Sequence, residues 1–326
     1  MQNKIAMFTT GALLGLCRLS WGLTYQSLVD PLADPGSTYA NGVSGNTVAG
    51  FYLSGNNVRG YLYNMSNGVY TTLNDPLATT SSTGPAGTFA EGISGNVVVG
   101  TFNNAAGDNG FIYNVSTNTY TTLIDPAGTG HTQAMGVYGN MVVGYYYDSS
   151  ISGSYGFMYN VSNATYTTLK ETAPGAAQTL AYGINGSNIV GAYSDSLGPH
   201  GFVYNGTNYT TLDNPVGIPY TNFATGISGK NIVGYYDGSD DVYNGFFFDG
   251  VSFASLNVTQ GTYGTFANGV DGNVVVGDYD NEIGYYGFVT TVPEPESISL
   301  IGLTGLGLLA RRRIAGPRIP HISAVS

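Results

Sequence analysis

The sequence predicts an all-β fold: a six-bladed β-propeller of four-stranded antiparallel blades, its ring closed by an N-terminal strand. Three observations predict it. A unit of about four dozen residues recurs six times. Each unit holds four short runs of β-branched and aromatic residues, parted by Gly, Asn, Asp and Pro. One run of the fourth kind stands alone before the first unit, and the last unit lacks it.

Composition agrees with strands and turns. Of 326 residues, 49 are Gly and 27 are Tyr, and only 9% are charged. Tyr, Val, Thr and Gly are strand and turn formers, and Glu and Lys are few. A chain of this length can be a single all-β domain. Between Tyr25 and Thr291 only Arg59, Lys170 and Lys230 stand against eighteen acids, a net charge of −15. Such a body repels nucleic acid and anionic membrane surfaces. It suits cations or neutral polyhydroxyl partners. Cys17 is the only cysteine. Once the segment that carries it is removed, disulfides, thiolate nucleophiles, Cys-rich zinc sites and iron–sulfur clusters are excluded.

Residues 1–22 read "MQNKIAMFTTGALLGLCRLSWG". Lys4, an apolar run from Ile5 to Cys17, and small Ser20 and Gly22 predict a secretory signal peptide cut near Gly22. The propeller is expected over residues 23–291.

The solitary run is "YQSLVDP", Tyr25–Pro31. Its copies are "YTTLNDP" (Tyr70–Pro76), "YTTLIDP" (Tyr120–Pro126), "YTTLKET" (Tyr166–Thr172), "YTTLDNP" (Tyr209–Pro215) and "FASLNVT" (Phe253–Thr259). The six anchors between them are "GVSGNTVAG" (Gly42), "GISGNVVVG" (Gly92), "GVYGNMVVG" (Gly136), "GINGSNIVG" (Gly183), "GISGKNIVG" (Gly226) and "GVDGNVVVG" (Gly269), spaced 50, 44, 47, 43 and 43 residues. A T-x-A-x segment precedes most anchors, and "GFxY"-like runs follow them, from "GYLYN" at Gly60 to "GFVTT" at Gly287. Four strands in about 45 residues is the length of a propeller blade. The "SGN" link is a tight reversal and favours antiparallel pairing. "GFVTT" ends the last unit without a fourth strand, so "YQSLVDP" is expected beside it, where it removes an open edge.

The anchors and "HGFVYN", His200–Asn205, resemble the HAF repeat of bacterial extracellular proteins, with its His-Ala-Phe core mostly changed to x-Gly-Phe. The resemblance brings no catalytic residue with it.

Residues 292–313 read "VPEPESISLIGLTGLGLLARRR". Ile298–Ala310 would be a short apolar helix of roughly 20 Å, against a hydrocarbon core of about 30 Å. Pro293, Glu294 and Pro295, then this helix, then Arg311, Arg312 and Arg313 resemble the PEP-CTERM sorting signal. The resemblance implies a Gram-negative bacterium that makes exopolysaccharide. It implies transient inner-membrane insertion as a transmembrane helix with the Arg cluster inside, and processing by an exosortase-type enzyme. Delivery to the cell surface or extracellular matrix would follow. Residues 314–326 are expected as an unstructured tail, longer than the family usually carries.

In an antiparallel meander, successive links alternate between two faces. The first-to-second and third-to-fourth links are short; the other two vary and share the opposite face. Variable loops on a rigid frame are where binding usually resides. Tyr beside Asp or Asn suits sugars, because a ring stacks on the aromatic face while hydroxyls meet polar groups. The candidate binding residues are therefore Tyr145, Tyr146, Tyr147, Tyr235, Tyr236, Asp237, Asp240, Asp241, Tyr285 and Tyr286. The plainer reading packs each Tyr at the rim. Asp237–Asp241 and Asp278–Glu282 offer hard oxygen ligands for Ca2+ without EF-hand spacing, and solvated acidic loops are the simpler reading. No other metal or cofactor is expected. His131 and His200 lie in no Ser/His/Asp signature, and no phosphate loop or zinc-protease motif is present.

The expected function is an exported, non-catalytic surface or matrix module that binds carbohydrate or exopolysaccharide. The alternatives are a glycosidase or polysaccharide lyase using loop carboxylates, and a purely structural matrix protein.

Overall fold

The computed structural model describes residues 23–79, 86–150, 152–173, 175–238 and 242–293. The expected signal peptide, the helix Ile298–Ala310 and the tail lie outside them. Among the described residues there is no helix, and none long and apolar enough to cross a membrane.

β1 (Tyr25–Leu28) comes first. Blade 1 is β2 (Thr38–Ser44), β3 (Thr47–Ser54), β4 (Asn57–Asn64) and β5 (Val69–Leu73). Blade 2 is β6 (Ala86–Ser94), β7 (Val97–Asn104), β8 (Gly107–Asn114) and β9 (Thr119–Leu123). Blade 3 is β10 (Thr132–Tyr138), β11 (Met141–Asp148), β12 (Gly153–Asn160) and β13 (Thr165–Leu169). Blade 4 is β14 (Gln178–Asn185), β15 (Asn188–Ser194), β16 (Pro199–Tyr204) and β17 (Tyr209–Thr211). Blade 5 is β18 (Asn222–Ser228), β19 (Asn231–Asp237), β20 (Tyr243–Phe248) and β21 (Phe253–Leu256). The last three strands are β22 (Gly264–Asp271), β23 (Val274–Asp280) and β24 (Tyr285–Thr291). Within each blade neighbouring strands pair antiparallel in chain order.

The sixth blade takes its outer strand from the other end of the chain. β1 pairs antiparallel with β24, from Tyr25 opposite Thr290 to Leu28 opposite Gly287. The Thr290 hydroxyl donates to the Thr24 carbonyl at 2.9 Å, and Ser27 and Tyr279 share a hydroxyl contact at 3.0 Å. The closure expected from counting runs is what the pairing shows.

Hydrophobic cores sit between blades. Six buried clusters each join neighbouring sheets, and one of them joins blade 6 to blade 1 through Val276, Val289, Ala40 and Val48. Each blade shuts one large aromatic of its third strand wholly from solvent: Tyr61, Phe111, Phe157, Phe202, Phe246 and Phe288, each 0% exposed. Burying such a ring contributes about 1.5–3 kcal/mol. The ring lies over the glycine that ends each anchor. A Cβ on Gly50, Gly100, Gly144, Gly191, Gly234 or Gly277 would meet a first-strand carbonyl oxygen at 2.0 Å or less. That contact is why the run must end in Gly.

The short turns behave as the sequence predicts. Gly45, Gly95, Gly139, Gly186, Gly229 and Gly272 have φ between 54° and 61° at the first central position of two-residue hairpins, the place a type II′ turn reserves for Gly. Asn64, Asn114, Asn160 and Asn205 each accept the amide two residues on with their side-chain oxygen, so the Asn-x-Ser/Thr segments are Asx turns. The Thr that opens T-x-A also has a role: the hydroxyls of Thr38, Thr88, Thr132, Thr179 and Thr265 accept buried amides from the preceding linker.

Candidate functional site

The first strand of every blade lines a central cavity of about 220 Å³, joined by Tyr235 of β19. Each of these strands carries a β-bulge just before its anchor glycine, at Ala40/Gly42, Ala90/Gly92, Ala134/Gly136, Ala181/Gly183, Ala224/Gly226 and Ala267/Gly269. A bulge inserts an unpaired residue and re-aims its side chain. The inserted residues are Asn41, Glu91, Met135, Tyr182, Thr225 and Asn268, and all six line the cavity.

The bulges also bring the blades together. A Cβ on Gly42 would stand 3.1 Å from the Cα of Gly92, and the same relation passes to Gly136, Gly183, Gly226, Gly269 and back to Gly42 at 3.0–3.2 Å. Six glycines thus form a closed throat that no larger residue could line without moving a neighbouring backbone.

Beside the throat lies a polar chain across blades 6, 1 and 2. Asn41 Nδ2 donates to Glu91 Oε2 at 2.7 Å. Asn268 Nδ2 donates to Asp278 Oδ2 at 2.8 Å and reaches Asn41 Oδ1 at 3.5 Å. The Ala40 amide donates to Asp278 Oδ1 at 2.6 Å. Burial pushes the Glu91 carboxyl up to about 7, with the Asn41 amide pulling it back. Burial also raises Asp278 well above the usual carboxylate range, opposed by the Ala40 and Asn268 hydrogen bonds.

Aromatic rings form an arc through blades 5, 6, 1 and 2. Phe223 stacks on Tyr235 at 4.9 Å, and Tyr235 meets Phe266 edge-on at 5.1 Å. Phe266 lies 6.2 Å from Tyr285, which stacks on Tyr39 at 5.1 Å. Tyr39 stacks on Phe51 at 4.5 Å, and Phe51 meets Phe89 at 5.1 Å. Tyr243 adds contacts to Tyr235 and Phe266. Tyr39, Phe89, Phe223 and Phe266 sit two residues before the bulge residue, on its side of the strand and toward the variable-loop face. None of them is fully buried.

The sequence-predicted tyrosines divide. Tyr235 and Tyr285 belong to the arc. Tyr145 donates its hydroxyl to Gln133 Oε1, and with Tyr147, His131, Gln133 and Ser154 it lines a second cavity of about 310 Å³ in blade 3. Tyr286 stacks on Tyr279 at 5.5 Å. Tyr146 and Tyr236 are 4% and 3% exposed and belong to the inter-blade cores. These tyrosines stand on strands rather than on loop tips, because pairing runs through Asp148 and Asp237. Asp237 ends β19, and its buried Oδ1 takes no hydrogen bond from the described residues. Asp240 and Asp241 lie outside the described residues, as do Glu294, Pro295, Arg311, Arg312 and Arg313; Pro293 is exposed.

Among the described residues no three His, Cys, Asp or Glu side chains gather as metal ligands. Asp278, which heads the second acidic stretch, spends both oxygens on Ala40 and Asn268. His200 is buried against Tyr193, with Asp213 Oδ2 2.9 Å from Nδ1 and Asp195 Oδ2 3.5 Å from Nε2. Sequence reasoning missed Asn41, Glu91, Asn268 and the arc's Tyr39, Phe51, Phe89, Phe223 and Phe266. The signal was there: the residue before each anchor glycine is the position the repeat leaves free.

Residues 291–313 match the PEP-CTERM protein-sorting motif. No curated protein matches the chain. Among solved structures the chain is similar to the Aleuria aurantia lectin, a six-bladed β-propeller with a fucose recognition mode, at 11% identity and TM-score 0.48, covering 78% of this chain and 91% of that one. It is similar to the β-propeller domain of the Trilobed protease from Pyrococcus furiosus at 9% identity and TM-score 0.45, covering 78% and 82%. An oligogalacturonate lyase in complex with manganese matches at 11% identity and TM-score 0.46, covering 83% and 97%. These are likenesses of fold.

Proposed function

We propose that the chain is an exported, non-catalytic module of the cell surface or matrix whose variable-loop face binds carbohydrate. The sorting motif at 291–313 supports export with exosortase processing, and the repeats are read as HAF-type extracellular units. The observation that carries the binding reading is the arc of rings from Phe223 to Phe89 beside the polar chain of Glu91, Asn41 and Asn268. Partly exposed rings next to amides and a carboxylate offer a sugar both its stacking face and its hydroxyl partners.

A glycosidase or lyase needs two carboxyls free to act on substrate. Glu91 and Asp278 are the pair nearest to that description. Asp278 is 5% exposed, its Oδ1 is taken by the Ala40 amide of blade 1 and its Oδ2 by Asn268 of its own blade, which supports binding over turnover. The test is a glycan array with the body spanning residues 23–293, followed by a reducing-sugar assay on each hit. Binding without turnover is expected. Turnover that Glu91→Gln abolishes would replace this reading with the enzymatic one, and an array with no hit would leave a structural matrix role.

A further inference from the structure

We propose that the central channel takes an organic ammonium group, so that the glycan recognised is one bearing free amines, such as a chain of glucosamine units. This rests on the carbohydrate reading above and narrows its ligand class.

Charge is the first argument. Glu91 lines the cavity; its Oε2 takes the Asn41 amide, while no hydrogen bond from the described residues reaches Oε1. A carboxylate enclosed by protein is costly without a counter-charge. The body does not supply one there. Arg59 bonds Asn74 on the exposed side of blade 1 at 3.1 Å. Lys170 reaches the Tyr155 hydroxyl at 3.0 Å and covers its ring. Lys230 lies in a hairpin turn against Gly250. None of the three lines the cavity. A bound cation would complete the site.

The rings are the second argument. Aromatic faces attract ammonium groups, by about 0.5–2 kcal/mol each depending on desolvation. Tyr235 lines the cavity itself and holds Phe223 and Phe266 against it. Carboxylate and rings together select a cation that carries apolar or sugar substance, rather than a bare metal ion.

Size is the third. At about 220 Å³ the cavity is smaller than the ~300–1,000 Å³ of pockets that enclose drug-sized ligands. It suits one amine-bearing ring, with the rest of the chain lying across the variable-loop face. A uronate chain would meet a body of net charge −15 and is disfavoured.

The test is titration calorimetry at pH 7 with three tetramers: glucosamine, N-acetylglucosamine and galacturonate. The expected order places glucosamine about tenfold or more ahead of the acetylated ligand, with galacturonate not binding. Glu91→Gln, which keeps an acceptor for Asn41, should remove that preference, so that on this variant the glucosamine tetramer binds no tighter than the acetylated one. Should this variant not fold, salt decides on the native protein, since raising NaCl should weaken the glucosamine tetramer alone. Equal binding of both amino sugars, or a preference that survives Glu91→Gln and salt, overturns the ammonium assignment and leaves the carbohydrate reading. Binding by none of the three, with an empty glycan array, overturns both.

Discussion

The Ala40 amide donates to Asp278 Oδ1 at 2.6 Å, although the two residues are 238 positions apart. This bond joins the innermost strand of blade 1 to the second strand of blade 6, and β1 seals the same blade at its outer edge. The first and last strands of the described residues therefore meet in one sheet.

Removing β1 should destabilise the whole ring. Leu28 is 1% exposed and packs into the cluster between blades 6 and 1. Its loss alone costs about 2–5 kcal/mol, and the freed edge of β24 invites association. A body starting at Leu32 should melt several degrees below one starting at Leu23 and precipitate more readily. Equal melting temperature and solubility would mean that β1 is not needed for closure.

The throat should tolerate no added methyl group. A Cβ on Gly269 would stand 2.6 Å from the Asn41 carbonyl oxygen and 3.0 Å from the Cα of Gly42. Gly269→Ala should cost about 1–3 kcal/mol through overpacking. Gly272→Ala is unsuitable as a control because φ there is 58°. Urea denaturation of Gly269→Ala beside the native protein measures the cost, and an unchanged midpoint would show that the blades can spread.

Tyr61 is the one tyrosine among these six rings, and its buried hydroxyl has no hydrogen-bond partner among the described residues. The other five blades use Phe at this place. Tyr61→Phe should therefore stabilise the fold, by about 1 kcal/mol, as an unsatisfied hydroxyl is removed. A calorimetric melt should rise by roughly 1–3 °C. A fall would reveal a partner for that hydroxyl, with Asp278 the nearby charged group.

Glu91 should make stability depend on pH. Its carboxyl sits at about 7 in the fold against an ordinary 4.5. The native state thus holds the proton longer than the unfolded chain. Its contribution is undiminished below about pH 4.5, declines as pH rises toward 7, and stays reduced above. Glu91 is only partly buried, so solvent screening holds the penalty at pH 8 to the order of 1–3 kcal/mol. Glu91→Gln should melt higher than the native protein at pH 8, with the gap closing by pH 4. A gap of the same size at both values would show that ionisation is not its cause.

Much of this was legible in the sequence. The blade count, the hairpin turns and the closing strand all follow from patterns repeated six times. Closure followed from arithmetic alone, since only one strand type was out of step. The site was legible in part. Tyr235 and Tyr285 were found because they sit in conspicuous Tyr-rich stretches. Those stretches were read as loops, yet pairing continues through Tyr145–Asp148 and Tyr235–Asp237, so Tyr146 and Tyr236 alternate into the core. Asn41, Glu91 and Asn268 were overlooked because a bulge cannot be seen in one strand; it exists only against its partner. The contact between Asn268 and Asn41 exists only once the ring closes.

The borrowed outer strand also decides how the body responds to pulling. In blades 1 to 5 the last strand in sequence is the exposed one, held on one side. In blade 6 the last strand, β24, lies between β23 and β1 and is paired on both sides. Val292 follows it, 1% exposed and bonded through its amide to the Asn273 carbonyl at 2.9 Å. Tension applied through residue 293, where the sorting motif continues the chain, must break two ladders together instead of peeling one. A protein held by that end is thus anchored through a strand gripped on both sides, where each other blade would offer an edge.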